Sequence, residues 1–244
     1  MGKARDTEVD AYIFIKDNLK DLEWDIRNPS RVSTGQVYTQ NECLAHPEIK
    51  RLLGLKRPEN IVKVTEKVLW VIEAKRSHLE LDQALSEAKE RADLLNESKL
   101  FQVRFISGVA GNNLDGFIIK SRFINGDKIS PIMMNGVAVT GLLSPQNLKS
   151  ILGSNNPNIE DTFINEKLFL SRAKRINEIL HLGAVNPHQR AGVMAALLLS
   201  MLSDTGPNIE ERSPAILISD INARVLNVLK DQGKSEFYDY IKIS

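Results

Sequence analysis

Apolar residues recur along the chain first at helical spacing, then at strand spacing, then at helical spacing again. Val9, Tyr12, Ile13, Phe14, Ile15 and Leu19 cluster with near-helical spacing between Lys and Asp residues. This predicts an amphipathic helix over residues 7–22, with Asp6 as its N-cap. Trp24 follows, and Asn28-Pro29-Ser30 breaks the pattern. Residues 30–57 are polar and irregular apart from a short helix expected over 47–53, and Pro58 opens an extended stretch. Ile61-Val62-Lys63-Val64 reads as a strand and Thr65-Glu66-Lys67 as a tight connection. Val68-Leu69-Trp70-Val71-Ile72 is a continuous apolar run rich in β-branched and aromatic side chains, which predicts a strand buried on both faces. Residues 79–95 read as a helix with Leu81, Ala84, Leu85, Ala88, Ala92 and Leu95 on one side.

Three extended segments follow, over 101–109, 116–124 and 131–143. Gly111-Asn112-Asn113 and Asn125-Gly126-Asp127 are turn signals, and Asn125-Gly126 suggests a hairpin. Gly108 to Gly111 reads as a turn between strands with no helix behind it, so no phosphate-binding loop is expected there. After Ser144-Pro145 the pattern is helical, over 146–152, 165–182, 187–202 and 219–230, with polar loops over 153–161 and 203–214. The apolar stretch from Ala191 to Met201 is expected to be a buried helix. The fold class that follows is α/β, a mixed central sheet of four or five strands flanked by helices, then a mostly helical C-terminal segment. The division expected is 1–143 and 144–244.

Composition changes this picture little. Hydrophobic residues are 42% and charged residues 26% of the chain, which fits a globular protein rather than a disordered one. Net charge is only +1, so a nucleic-acid surface has to come from local clusters such as Lys50-Arg51, Lys56-Arg57, Lys75-Arg76 and Arg172 to Arg175. Cys43 is the only cysteine, which removes an intrachain disulfide and a cysteine zinc site. The N-terminus carries no apolar signal core, and no stretch reaches the ~20 apolar residues that span a bilayer. A cytoplasmic protein without membrane contact is the expectation. The four histidines show no metal-ligand spacing, and Ser107 and Ser213 lack a nucleophile-elbow setting.

Candidate chemistry concentrates in Arg57-Pro58-Glu59-Asn60 and Val71-Ile72-Glu73-Ala74-Lys75-Arg76. Side chains alternate along a strand, so Glu73 and Lys75 share a face. They stand where a buried apolar run ends, and an unpaired charge there is costly. A metal ion and a polyanionic substrate would compensate that cost. Acid-x-Lys occurs three times, at Glu48-Ile49-Lys50, Glu73-Ala74-Lys75 and Glu87-Ala88-Lys89, and only the second ends a buried strand with an acid upstream.

These residues resemble the PD-(D/E)XK nucleases, specifically the N-terminal nuclease domain of type I and type IIG restriction-modification enzymes, over roughly residues 3–143. The resemblance implies a restriction-endonuclease-like fold and magnesium-dependent cleavage of double-stranded DNA, with manganese as a substitute. It makes Glu59 and Glu73 the metal-binding acids, Lys75 the catalytic lysine, and Glu8 an acid that completes the site. The carbonyl of Ala74 would be a third metal ligand, and Arg57, Arg76 and Gln83 would contact phosphates. The family's glutamine-x3-tyrosine motif falls on Glu87 and Arg91, and its first acid, ordinarily aspartate, falls on Glu59. Asn60 or Glu66 could serve in place of Glu59. Gly233-Lys234-Ser235-Glu236-Phe237-Tyr238 resembles the opening of the helical part of an adenine-specific DNA methyltransferase. That implies a methyltransferase or specificity subunit as partner and a chain that is part of a longer one; the oligomeric state stays open, with a homodimer on DNA one way to bring together the two sites that double-strand cutting requires.

Other readings of the same residues stay open. Glu73 and Lys75 could form a strand-end ion pair, Glu8 could serve the helix dipole, and Arg57 and Arg76 could be solvated charges. At the level of function, the alternative to a nuclease is a silent nuclease-like module for DNA binding or assembly. A third is cleavage of RNA or of DNA ends.

Overall fold

The computed structural model describes residues 9–134, 136–159, 166–202 and 213–243. The chain divides into two compact units, Met1–Ile164 and Asn165–Ser244. In the first, α1 (Val9–Asp21) precedes β1 (Val37–Thr39), α2 (Gln40–Cys43), α3 (Pro47–Leu53), β2 (Asn60–Lys63) and β3 (Val68–Lys75). Then come α4 (Leu81–Glu97), β4 (Gln102–Asn112), β5 (Gly116–Asn125) and β6 (Lys128–Pro131). These six strands form one sheet in the order β1-β2-β3-β4-β5-β6. Only β3 and β4 run parallel, joined by the α4 crossover, and every other neighbouring pair is antiparallel. The fold is α/β with a mixed sheet, as the apolar pattern predicts, but with six strands rather than four or five. The added strand is β1, three residues inside the stretch that reads as polar and irregular. Its register pairs Val37 with Val62 and Thr39 with Asn60. At its end Thr39 and Glu42 form a capping box that starts α2.

The strand signals hold best where burial is deepest. Leu69 to Ala74 are all buried. Leu69 and Val71 pack with Ala88, Ala92 and Leu95 of α4 on one face. On the other face Trp70 meets Trp24, and its indole Nε1 donates to Ser107 Oγ at 3.0 Å. Between Leu69 and Trp70 the pairing with β4 slips, so Val103 and Phe105 stand opposite consecutive residues and Arg104 is extra. Arg104 Nε donates to Ile124 O at 2.7 Å, and its guanidinium lies over Phe123.

Two extended readings are corrected. Gly108 to Gly111 are interior to β4, not a turn. They read as a turn because glycine and alanine carry no strand signal, yet Gly108 is where α4 comes closest: a Cβ there would stand 2.8 Å from Leu85 N and 3.0 Å from Leu81 O. The reversal comes after Asn112. The segment 131–143 is not one strand. Its described residues end β6 and then hold β7 (Met133–Met134) and β8 (Val137–Ala138), with Gly136 at φ +80° between them. With β9 (Asn158–Ile159), which follows α5 (Pro145–Ser154), these form a separate three-stranded sheet in the order β8-β7-β9. The Asn125-Gly126-Asp127 hairpin forms as expected, with Asn125 paired to Lys128.

The second unit is helical among its described residues: α6 (Glu166–Leu182), α7 (Pro187–Ser200), α8 (Pro214–Asp231) and α9 (Tyr238–Ile241). Asn186-Pro187 and Ser213-Pro214 start α7 and α8 by the same device as Ser144-Pro145 at α5. The polar side chain caps a main-chain N–H and the proline needs none. Ser213 makes α8 begin earlier than the apolar pattern over 219–230 shows. Ala196, Ile221, Val225 and Leu229 form its core. Asn222 clasps the main chain of Ile243, donating to its carbonyl and accepting from its N–H, both at 2.8 Å. The stretch from Ala191 to Met201 is less buried than expected: Ala196 and Ser200 are buried, whereas Leu198 and Met201 are exposed, because α7 packs through one side only. No helix among the described residues is long and apolar enough to cross a membrane.

Candidate functional site

The site lies at the C-terminal end of β3, where the strand outruns its β2 partner. The β2–β3 register ends at Asn60 opposite Ile72. Continued by one residue, it sets Glu59 across from Glu73, and residues directly opposite in an antiparallel pair share a face. On its other edge β3 stays paired with β4, Glu73 beside Gly108 and Lys75 beside Ala110. Leu69, Val71, Glu73 and Lys75 alternate onto the α4 face, so the apolar row of the core becomes a charged row as the strand ends. Gly108 lets the α4 backbone lie against the sheet at this level.

Glu73 is only 4% exposed. Burial pushes its carboxyl up to about 8, against the opposing pull of Arg91, while Glu87 and Glu59 push it further up. Arg91 Nε stands 3.0 Å from Glu73 Oε1, yet the angle is not that of a hydrogen bond, and both atoms are buried without a hydrogen-bond partner. Lys75 Nζ donates to Glu87 Oε2 at 3.0 Å. Gln83 Nε2 donates to the other oxygen of Glu87 at 2.9 Å. These bonds and the Lys75 and Arg91 charges hold the Glu87 carboxyl below its ordinary value despite partial burial. Gln83, Glu87 and Arg91 are spaced by four residues, so α4 presents them as one ladder above the strand end.

The remaining sequence-derived residues fall as follows. Glu59 is half-buried and lies close enough to act electrostatically on both Glu73 and Tyr12 of α1. Ala74 is buried in β3, Arg76 is exposed just past it, and Arg57 is half-buried ahead of β2. Glu8 lies outside the described residues. Of the two substitutes for Glu59, neither faces Glu73. Asn60 is buried on the opposite side of the sheet, its Oδ1 without a hydrogen-bond partner. Glu66 sits in the β2–β3 turn, paired with Lys63 at 3.0 Å, roughly 20 Å from Glu73 along the strand. Glu87 and Arg91 were legible as altered motif positions. Their ion pairs with Lys75 and Glu73 were not, because they depend on how closely α4 approaches at Gly108.

A divalent cation such as magnesium takes carboxylate, carbonyl and water oxygens. Glu73 Oε1 is a buried carboxylate oxygen lacking a hydrogen bond, and the Glu59 carboxylate lies close enough to act on it electrostatically, so the residues fit such a cation with water completing its shell. Among the described residues no three His, Cys, Asp or Glu side chains converge as a ligand group. Ser107 has no nucleophilic setting. It is fully buried and bonded to Trp70 and to Ser121 Oγ at 2.7 Å. Cys43 is buried, and burial pushes its thiol up to about 12. No known protein family, curated protein or solved structure matches the chain.

Proposed function

We propose that the chain is a metal-dependent DNA endonuclease of the restriction type, centred on Glu59, Glu73 and Lys75. The observation that carries this reading is the end of β3: the buried Glu73 carboxylate, with Glu59 one residue ahead of β2 and close enough to act on it electrostatically, and a lysine two residues along the same face. Glu59, Glu73 and the Ala74 carbonyl would hold magnesium or manganese, which supplies Lewis acidity and an acidic bound water. Lys75 would orient the attacking water and place a positive charge against the phosphate as negative charge builds on it. Arg57 and Arg76 would contact neighbouring phosphates of double-stranded DNA, which positions the duplex without reading its sequence. Sequence choice would come from a methyltransferase or specificity partner, and Glu8 would add a further carboxylate from the chain ahead of α1.

The test is plasmid nicking with magnesium or manganese, wild type against Lys75→Ala. Loss of nicking on the order of 10²–10³-fold is expected in the variant, the range for removing one group that stabilises a transition-state charge, with unchanged circular dichroism. Equal cleavage by both proteins would remove Lys75 from the chemistry.

A second reading has its own observation. Glu73 and Lys75 each meet an oppositely charged residue of α4, Arg91 and Glu87. A strand end neutralised from within suits a module that binds DNA or joins a complex without cutting. Wild-type protein that binds DNA but neither metal ion would favour it.

A further inference from the structure

The charge on Arg91 is in an unusual place for a residue that only stabilises the fold. A structural ion pair ordinarily gains its strength from hydrogen bonds that replace the lost water. Here Arg91 Nε and Glu73 Oε1 stand 3.0 Å apart, buried, and neither has a hydrogen bond. The rest of the guanidinium is held by its own helix. NH1 donates to Glu90 Oε2 at 2.8 Å and to the Glu87 carbonyl at 3.4 Å, and NH2 lies 3.6 Å from Glu87 Oε2. Arg91 can therefore withdraw from Glu73 and keep its other partners.

We propose that Arg91 is a built-in competitor for the cation position at Glu73, setting how tightly that position takes a divalent metal ion. This deepens the nuclease reading and rests on it. Magnesium needs a carboxylate oxygen at about 2.0–2.1 Å. A guanidinium nitrogen already 3.0 Å from that oxygen leaves no room for a second cation without strong repulsion. Metal binding thus requires Arg91 to turn toward Glu87 and Glu90.

The experiment measures manganese binding calorimetrically at pH 8 on the full chain, for wild type, Arg91→Met, and Arg91→Met combined with Glu73→Gln. Arg91→Met keeps an unbranched stem and removes the charge. The expected result is a dissociation constant at least tenfold lower in Arg91→Met than in wild type, and no such gain when Glu73 is also neutralised. Manganese should also raise the unfolding midpoint of Arg91→Met more than that of wild type. Equal or weaker binding in Arg91→Met, with wild type still binding, overturns the competitor role and leaves the nuclease reading standing. A gain that persists without Glu73 overturns it too, because the effect then lies elsewhere. Absence of binding in every protein overturns both. If Arg91→Met does not fold in metal-free buffer, it and Arg91→Gln are refolded with manganese present. Metal-dependent folding supports the proposal, and failure of both variants even with metal shows a purely structural Arg91.

Discussion

Two polar clusters are buried on opposite faces of β3 and β4, and they are built differently. On the α1 face Trp70, Ser107 and Ser121 are neutral, and the chain of bonds closes: indole to Ser107 at 3.0 Å, Ser107 to Ser121 at 2.7 Å, Ser121 to the Gly141 carbonyl at 3.3 Å. On the α4 face Glu73 and Arg91 are ionisable groups at contact distance whose facing atoms have no hydrogen bond. The first arrangement satisfies buried polar atoms as a folded core requires. The second leaves dehydration uncompensated, which a fold selected for stability alone would remove by substituting apolar residues. The difference separates a cluster whose bonds help hold the sheet together from one whose facing atoms are left unbonded, the arrangement on which the proposed chemistry rests.

Breaking the charged cluster should have the largest effect on stability. At pH 9, Arg91→Met in metal-free buffer should lose about 3–5 kcal/mol by chemical denaturation, the cost of stranding one partner of a buried pair. Replacing both partners, Glu73→Leu with Arg91→Met, should recover most of that loss. A double variant as unstable as the single one would show that the pair is a structural element after all. Next comes Gly108→Ala. The new methyl group would meet the α4 backbone at 2.8 Å, so about 1–3 kcal/mol of overpacking is expected, and any nuclease activity should fall with it as Glu87 and Arg91 shift from Lys75 and Glu73.

The pH dependence sharpens the same contrast. Glu73 binds its proton more tightly in the folded chain, near 8, than at its ordinary 4.5. Below 4.5 both folded and unfolded chains are protonated there. Between those values the folded state holds a proton that the unfolded state has released, so its contribution to stability falls as pH rises, by at most about 1.4 kcal/mol per pH unit. Above about 8 the loss is complete. Glu73→Gln should flatten the slope in a pH series of denaturation midpoints, and an unchanged slope would assign the titration to another group. The smallest effect expected is that of Ser107→Ala on the neutral face. It leaves the Trp70 indole unpaired, at a cost of about 1–2 kcal/mol, while any nuclease activity stays at the wild-type level.

The sequence shows these two faces unequally. β3 is legible because its apolar run has only one reading, and the Asn125-Gly126 hairpin because its residues allow the positive φ that the turn needs. β1 is not, since three residues between polar stretches carry too little periodicity. Residues 131–143 alternate like a strand, but Gly136 and Gly141 interrupt them, and only pairing with β9, more than twenty positions downstream of Met133, shows which short pieces join a sheet. At the site, strand alternation alone brings Glu73 and Lys75 together, and Glu59 comes near because it immediately precedes β2, the antiparallel neighbour of β3. The counter-charges of α4 depend on helix-to-sheet distance. Gly108 governs that distance, and in the sequence it looks like a turn residue.

Cys43 has one more consequence. As the only thiol, buried and held far from ionisation at neutral pH, it is shielded from alkylating reagents in the folded chain. It belongs to the same core cluster as Val71 and Ala88. The rate at which it becomes modified therefore clocks the opening of the layer beneath α4, and a cysteine introduced elsewhere on the surface would be the sole site for attaching a dye.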